Sequence, residues 1–288
     1  MHPAPSLIAF TTLSGAGFGL LFFLGLGIPG VTGWTAFAFF AIAYALAGGG
    51  LLSSTLHLGH PERASLAFTQ WRTSWLSREA WAAVATLVVM GIYGAGLVFF
   101  EARIVPLGWI GAAGALGTVF TTSMIYAQMR TVPRWHTALT PALFLAFALV
   151  GGALLAGEAR LASFLMLGLA GLQIAWLITG DRRFGEGGTD MGTATGLGGA
   201  VRAFEPPHTG PNYLLREMVF VVGRRHAGRL RVIAVLLMAL LPASVLLLPL
   251  GHAGAGVAVL SHLAGAAVSR WLFFAEAEHV VGLYYGAR

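Results

Sequence analysis

Cysteine and lysine are both missing from the 288 residues, and charged residues of any kind fill only 10% of positions. Without cysteine the chain has no disulfide framework, no thiolate zinc site and no cysteine-ligated iron–sulfur cluster of its own. A redox metal would therefore have to be liganded otherwise or belong to a partner, and no metal site is expected in this chain. Without lysine, every cationic side chain apart from histidine is an arginine. In so apolar a chain the net charge of +6 is a topology signal before it is a nucleic-acid signal. Membrane lipid, and not nucleic acid, is the expected surrounding. What the sequence does have is apolar surface: hydrophobic residues make up 57% and mean hydropathy is +0.79. A water-soluble domain of this length could not hide that much in one core.

A membrane-spanning helix takes about 20 mostly apolar residues. Eight stretches qualify, roughly 6–28, 33–56, 80–100, 106–129, 138–157, 161–180, 231–250 and 254–284. The runs are continuously apolar instead of alternating, which predicts helices over a barrel. The expected fold is all-α, a polytopic bundle of eight transmembrane helices forming one integral membrane domain over 1–288. Glycine occurs 40 times, in clusters such as "SGAGFGLL" at 14–21 and "LAGGGLLSS" at 46–54. Within spans these small residues read as close-packing surfaces, not phosphate loops. The first run, from about Leu7, follows no cationic segment and precedes no cleavage pattern, so it reads as a retained span.

Eight spans place both termini on one side, together with the second, fourth and sixth connections. Of the 17 arginines, all but Arg103, Arg160 and the intraspan Arg270 fall on that side. The positive-inside rule then puts the termini and long loops in the cytoplasm of a bacterial inner membrane protein. The sixth connection, a cytoplasmic loop at about 181–230, opens with a Gly/Thr stretch at 185–199 and ends in "YLLREMVFVVGRRHAGRLR" at 213–231. There Tyr213, Leu214, Met218 and Val222 recur at helical spacing, which predicts an amphipathic helix feeding the seventh span. Such a helix lies on anionic lipid or docks a cytoplasmic partner, and both readings stand at this point.

Transporters usually carry ionisable residues or broken helices near mid-membrane. Here His262, Arg270, Glu276, Glu278 and His279 are assigned to the last span. The remaining polar groups gather at the cytoplasmic ends of the second to fourth spans, a distribution that suits a reaction at the membrane boundary. "LHLGHPERASLAFTQWRTSWLSREAW" at 56–81 puts His57 at the end of the second span and Glu79 at the opening of the third. Arg63, Trp71, Arg72, Trp75 and Arg78 lie between them. A second cluster, "IYAQMRTVPRWHTALTP" at 125–141, carries Trp135 and His136 in a turn bounded by Pro133 and Pro141. The two clusters are expected to face each other across one interfacial pocket. A quinone suits such a pocket, because its headgroup is a flat ring whose two-electron chemistry moves two protons. Histidine and a partly buried glutamate exchange protons near neutrality, and Trp71, Trp75 and Trp135 can wall the ring. The bland alternative is an interfacial Trp belt with arginines at lipid headgroups. Haem b needs paired histidines at matched depth. Only His262 is clearly intramembrane, so no haem is expected.

"LHLGHPERA" followed by "SWLSREAW" resembles the signature region of the membrane-anchor subunits of dimethyl-sulfoxide-reductase-type molybdoenzymes, and "RTVPRWHTALTP" resembles a second block of that family. The eight-span layout extends the resemblance over nearly the whole chain. It implies a three-part complex: a catalytic subunit with molybdenum and molybdopterin, a four-cluster iron–sulfur subunit, and this anchor. The anchor does none of the molybdenum chemistry and passes electrons between partner clusters and the quinone/quinol pool. The family's quinol-site histidine falls on His57, its functionally important glutamate on Glu79, and the arginine after its "HLG-P" motif on Arg63. The resemblance therefore implies a site of His57 and Glu79, with Arg63, Trp71, Trp75, Trp135 and His136 around the quinone. The chain departs from the pattern in its short uncharged first connection, "GIPGVTG" at 27–33, and in its tail, "RWLFFAEAEHVVGLYYG" at 270–286. That tail and the 205–231 loop resemble the cytoplasm-facing sulfite dehydrogenase branch, which implies sulfite oxidation with quinone reduction. A quinol-oxidising anchor of a sulfoxide or N-oxide reductase, and a purely structural tether, are the alternatives.

Overall fold

The computed structural model describes the whole chain except Pro206, Pro211, Phe220, Val221, Ala287 and Arg288. His57, Val222 and Gly223 are described for their backbone alone. Among the described residues every regular element is helical and none is a strand. Six long helices come first: α1 (Pro5–Leu26), α2 (Gly33–Ser53), α3 (Trp75–Phe99), α4 (Val105–Ala127), α5 (Leu139–Leu155) and α6 (Ala159–Glu186). Two one-turn helices follow, α7 (Met191–Thr195) and α8 (Tyr213–Glu217). The next apolar rod joins α9 (Ala227–Val235), a π-turn at Leu236–Leu240 and α10 (Leu241–Leu246), and α11 (Gly251–Ala275) closes the bundle.

Seven of these rods are long and apolar enough to cross a membrane. The expected eighth, α5, is apolar but has 17 residues, about 25 Å at 1.5 Å per residue, against a hydrocarbon core of about 30 Å. Boundaries follow local chemistry. Gly27 ends α1 in the left-handed conformation (φ 76°), where its N–H reaches Leu24 O. The Ser74 hydroxyl caps α3 by accepting from the Ser77 N–H.

Two sequence expectations are corrected. The last span does not run to 284: α11 stops at Ala275, so Glu276, Glu278 and His279 lie beyond it, before a 3-10 turn at Val280–Tyr285. The reason is electrostatic, since Glu276 turns onto Arg134 and Arg231 instead of continuing an apolar face. The amphipathic stretch at 213–231 is not one helix. α8 ends at Glu217, and the chain enters α9 only after a separate 3-10 turn at Val222–His226. The break falls just after α8, where the Met218 and Val219 N–H groups both return to Leu214 O.

α1 is the hub, packed against α2, α4 and α5, with α11 also touching it. Close approach explains part of its glycine content: a Cβ on Gly19 would run into the Ala148 carbonyl of α5, and one on Gly152 into the Gly19 backbone. Polar side chains inside the bundle tie helices together. Thr86 bonds Thr118 at 3.3 Å, Ser269 donates to Gln173 Oε1 at 2.9 Å, and the Tyr44 hydroxyl donates to the Leu87 carbonyl.

Candidate functional site

At the end of α2, the hydroxyls of Ser54 and Thr55 donate back to Leu51 O (2.6 Å) and Leu52 O (2.7 Å). Such back-bonding competes with the helix ladder, and the backbone tightens into a 3-10 turn, Ser54–His57. His57 closes that turn; its side chain lies outside the described residues. Pro61 then opens a second 3-10 turn, Pro61–Phe68, which carries the exposed Arg63.

The rest of the loop is laced onto the first turns of α3. The Ser77 hydroxyl donates to the Ala67 carbonyl and accepts from the Gln70 N–H at 3.2 Å. Arg78 donates from Nε to Trp71 O (3.0 Å) and from Nη2 to Arg72 O (2.7 Å), with its guanidinium 4.3 Å above the Trp75 ring. Trp81 Nε1 donates to Phe68 O at 3.0 Å, and the two rings meet edge to face at 5.4 Å. Phe68, Trp71, Arg78 and Trp81 thereby border an apolar groove of about 410 Å³. Trp71 and Trp81 each remain about half exposed. Trp75, on the neighbouring face, packs edge to face on Phe120 of α4 at 6.1 Å.

Glu79 lies one helical turn past Trp75 and is only 4% exposed. Its Oε1 accepts from the Thr122 hydroxyl of α4 at 2.6 Å, a hydroxyl that also reaches Thr118 O at 2.9 Å. Among the described residues this carboxyl is held by one neutral donor and no arginine, so it can bind and release a proton without breaking a described ion pair.

The 125–141 cluster goes elsewhere, and the expectation of one pocket shared with the 56–81 loop is corrected. Trp135 is 2% exposed, stacks on Phe273 of α11 at 5.1 Å and donates from Nε1 to Phe273 O at 2.9 Å. It sits inside an aromatic cluster with Tyr126, Phe274 and Phe273, not on a wall open to a ligand. Thr140 locks the turn by donating to Trp135 O at 2.9 Å. His136 bonds through Nδ1 to Ala127 O at 2.7 Å, and its own carbonyl accepts from Arg183 Nη2 at 2.5 Å. The ring therefore staples the turn to the end of α4. Burial of aromatic surface, which no local pattern distinguishes from an interfacial belt, takes Trp135 away from the groove.

A separate cavity of about 360 Å³ borders Arg134, Asp181, Arg224, Arg231, Glu276 and Glu278. Arg134 pairs with Asp181 and lies 3.4 Å from Glu276. Arg231 reaches Asp181 at 2.6 Å and Glu276 at 2.7 Å, while Arg224 reaches Glu278 at 2.6 Å. The sequence reading missed this network. Its only advance signal was the scarcity of acids, which makes each carboxylate at a helix end a candidate partner for arginine. Phe68, Arg78, Trp81 and Thr122 were also absent from the expected site.

Trp71 borders the groove, while Trp75 and Glu79 pack on α4 through Phe120 and Thr122 without lining it. Arg63 stays on the exposed loop, and Trp135 and His136 lie at the α4–α5 turn. Among the described residues no group of three or more His, Asp or Glu is placed to hold a metal ion.

Comparison with known proteins gives three findings. The model of the family described as DMSO reductase anchor subunit (DmsC) matches residues 1–178. The C component of sulfite dehydrogenase from Allochromatium vinosum is 34% identical, with 99% of both sequences covered. The C component of anaerobic dimethyl sulfoxide reductase from Escherichia coli K12 is 31% identical over 134 residues, 45% of this protein and 44% of that one. No solved structure matches.

Proposed function

The chain belongs to the DMSO reductase anchor subunit family, and from that membership we propose that it is the quinone-reactive membrane anchor of a three-subunit molybdopterin and iron–sulfur oxidoreductase. Electrons pass between the clusters of a four-cluster iron–sulfur partner and the membrane quinone pool, and a molybdopterin subunit acts on the substrate. One observation carries the reading: Glu79, a 4% exposed carboxyl without an ionic partner among the described residues, lies on the first turns of α3, whose Arg78 and Trp81 border an aromatic groove. Arg78, which lies over the Trp75 ring, borders the groove.

The groove fits the group it would take. A quinone headgroup is a flat apolar ring, and Phe68, Trp71 and Trp81 offer aromatic surface at a bilayer boundary, where such rings concentrate. When bound, the quinone supplies two-electron, two-proton redox chemistry. The residues of this protein do the rest. The aromatic rings orient the headgroup, and Arg78 holds the loop shut through two backbone carbonyls. Glu79 holds a proton on Oε2 while Thr122 engages Oε1. His57, at the opposite end of the loop, is the second proton-exchanging group, and Arg63 contacts the headgroup from the 3-10 turn.

Sulfite oxidation with quinone reduction is the favoured direction. The sulfite dehydrogenase relative spans the whole sequence, including the loop and tail beyond residue 178 where the family match ends. The sulfoxide reductase relative spans 45%. In the proposed topology α5 crosses as an eighth span despite its length, 1–288 forms one integral domain, and both termini face the cytoplasm of a bacterial inner membrane. The arginine-rich connection between α6 and α9 lies on that same face.

The test uses the intact complex. Glu79→Gln and His57→Ala are each expected to lower quinone-linked turnover at least tenfold while turnover with a soluble artificial electron acceptor is retained. Unchanged quinone-linked turnover in both variants would leave the structural-tether reading standing.

A further inference from the structure

The deepest charge in the bundle is unaccounted for by the quinone reading. Arg270, in α11, is 2% exposed and takes part in none of the described ion pairs. Its guanidinium lies 3.7 Å from the centre of the Phe144 ring and 4.7 Å from that of Phe147, both on α5. These rings cover the charge, but they leave Nη1 with no hydrogen-bond partner among the described residues. A buried guanidinium donor without an acceptor is costly to maintain.

Two more groups converge on the same place. Thr12 Oγ1, on α1, is buried without a partner among the described residues, although its neighbour Thr11 donates normally to Leu7 O at 2.8 Å. His262, two turns before Arg270 on α11, bonds through Nδ1 to Met238 O at 2.7 Å. That carbonyl is available for a specific reason. The residue four places on is Pro242, which has no N–H to return, and the intervening turn, Leu236–Leu240, is π. Because a carbonyl can only accept, Nδ1 carries the proton, and Nε2 of the neutral ring is left as an acceptor. Nε2 is turned toward Gly151 of α5.

Thr12, Phe147, His262 and Arg270 border one cavity of about 10 Å³, which is room for a single water. The site holds a guanidinium donor and a hydroxyl that both lack a partner among the described residues, beside a histidine ring whose Nδ1 is already engaged. We propose that this cavity binds one ordered water, which accepts from Arg270 Nη1, donates to His262 Nε2 and bonds Thr12, tying α1 to α11 through solvent. A halide of similar size would satisfy the guanidinium and the hydroxyl. It would also set an anion against the His262 lone pair, so the chemistry selects water.

The experiment uses the purified three-subunit assembly. If Thr12 Oγ1 truly lacks a partner, the isosteric Thr12→Val removes an unsatisfied polar atom, and the anchor melts at or above the wild-type temperature. If the water is present, Thr12→Val melts a few degrees lower and Thr12→Ser melts like wild type. An increase, or no change, in Thr12→Val overturns the proposal. A high-resolution structure of the assembly is expected to show one density peak within hydrogen-bond reach of Arg270 Nη1, Thr12 Oγ1 and His262 Nε2, unaltered by bromide soaking. An empty cavity, or a bromide peak within it, overturns the proposal equally.

Discussion

Glu276 sits between two arginines: its Oε1 accepts from Arg231 Nε at 2.7 Å, and its Oε2 faces Arg134 Nη1 at 3.4 Å. The carboxylate is 3% exposed, whereas Asp181, which joins the same two arginines, is 44% exposed. The pair of acids closes a four-charge ring linking the α4–α5 turn, the end of α6, α9 and the residue that stops α11. Buried members of such rings matter more than exposed ones, because removing a buried partner leaves an uncompensated charge out of water.

Glu276→Gln is therefore expected to destabilise the anchor by about 3 kcal/mol, toward the lower bound for breaking a buried pair. Asp181→Asn should cost about 1 kcal/mol, the scale of an exposed pair. Thermal unfolding of the two variants in the same detergent checks the ordering, and an equal or reversed effect would contradict the ring as drawn.

Thr122→Val removes the hydroxyl that orients Glu79 but keeps the side-chain volume. Its hydroxyl also reaches Thr118 O, so the helix loses only a local bond and the fold is expected to survive. Quinone-linked turnover should fall about tenfold, equivalent to about 1.4 kcal/mol in the barrier, and by less than in Glu79→Gln. Turnover with a soluble acceptor should be unchanged. Loss of both activities together would mean that Thr122 serves the fold and not the site.

Gly265 marks the contact of α11 with the π-turn, since a Cβ there would strike Met238 N and Leu237 C. Gly256, on the same helix, faces open space. Gly265→Ala should cost about 1–3 kcal/mol through overpacking, while Gly256→Ala should be neutral or slightly stabilising from helix propensity. Comparing their unfolding midpoints isolates the contact from the propensity.

His279 gives a pH dependence outside the spans. Burial is the main cause holding its pKa below the ordinary 6.5. Its Nδ1 must be unprotonated to accept from the Val281 N–H at 3.0 Å. The folded value lies below the unfolded one, so the contribution of this cap is present above about 6.5 and is lost as pH falls through the folded value. Protection of the Val281 amide against hydrogen exchange, corrected for the intrinsic pH dependence of exchange, should fall on acidification. Undiminished protection below the folded value would show that the cap does not depend on the neutral ring.

Much of the bundle was legible locally because a helix in lipid must satisfy its own backbone, so a long apolar run has few alternatives. The runs predicted α1, α2 and α4 closely but began the third span after the true start of α3 at Trp75 and ended the sixth before the true end of α6 at Glu186. The polar interruption at 56–81 marked the loop that orders against α3. The helix predicted at 213–231 failed because apolar spacing does not show where the backbone closes a turn, as it does at Leu214 O, which accepts from both Met218 and Val219. The last span was drawn too long because the apolar residues around Glu276 mask a charged anchor point.

The sequence by itself determined the helical class, the apolar rods and the family signature around His57 and Glu79, since each depends on residues close together in the chain. The tertiary structure alone decided partners. Arg134 meets Glu276 across 142 positions and Asp181 across 47, and Trp135 is buried against Phe273 across 138. It also decided that His262 engages Met238 O across 24 positions, a carbonyl whose helical partner four places on is Pro242. No period in the sequence encodes such pairings, because they depend on which helix faces which after every backbone group is already satisfied.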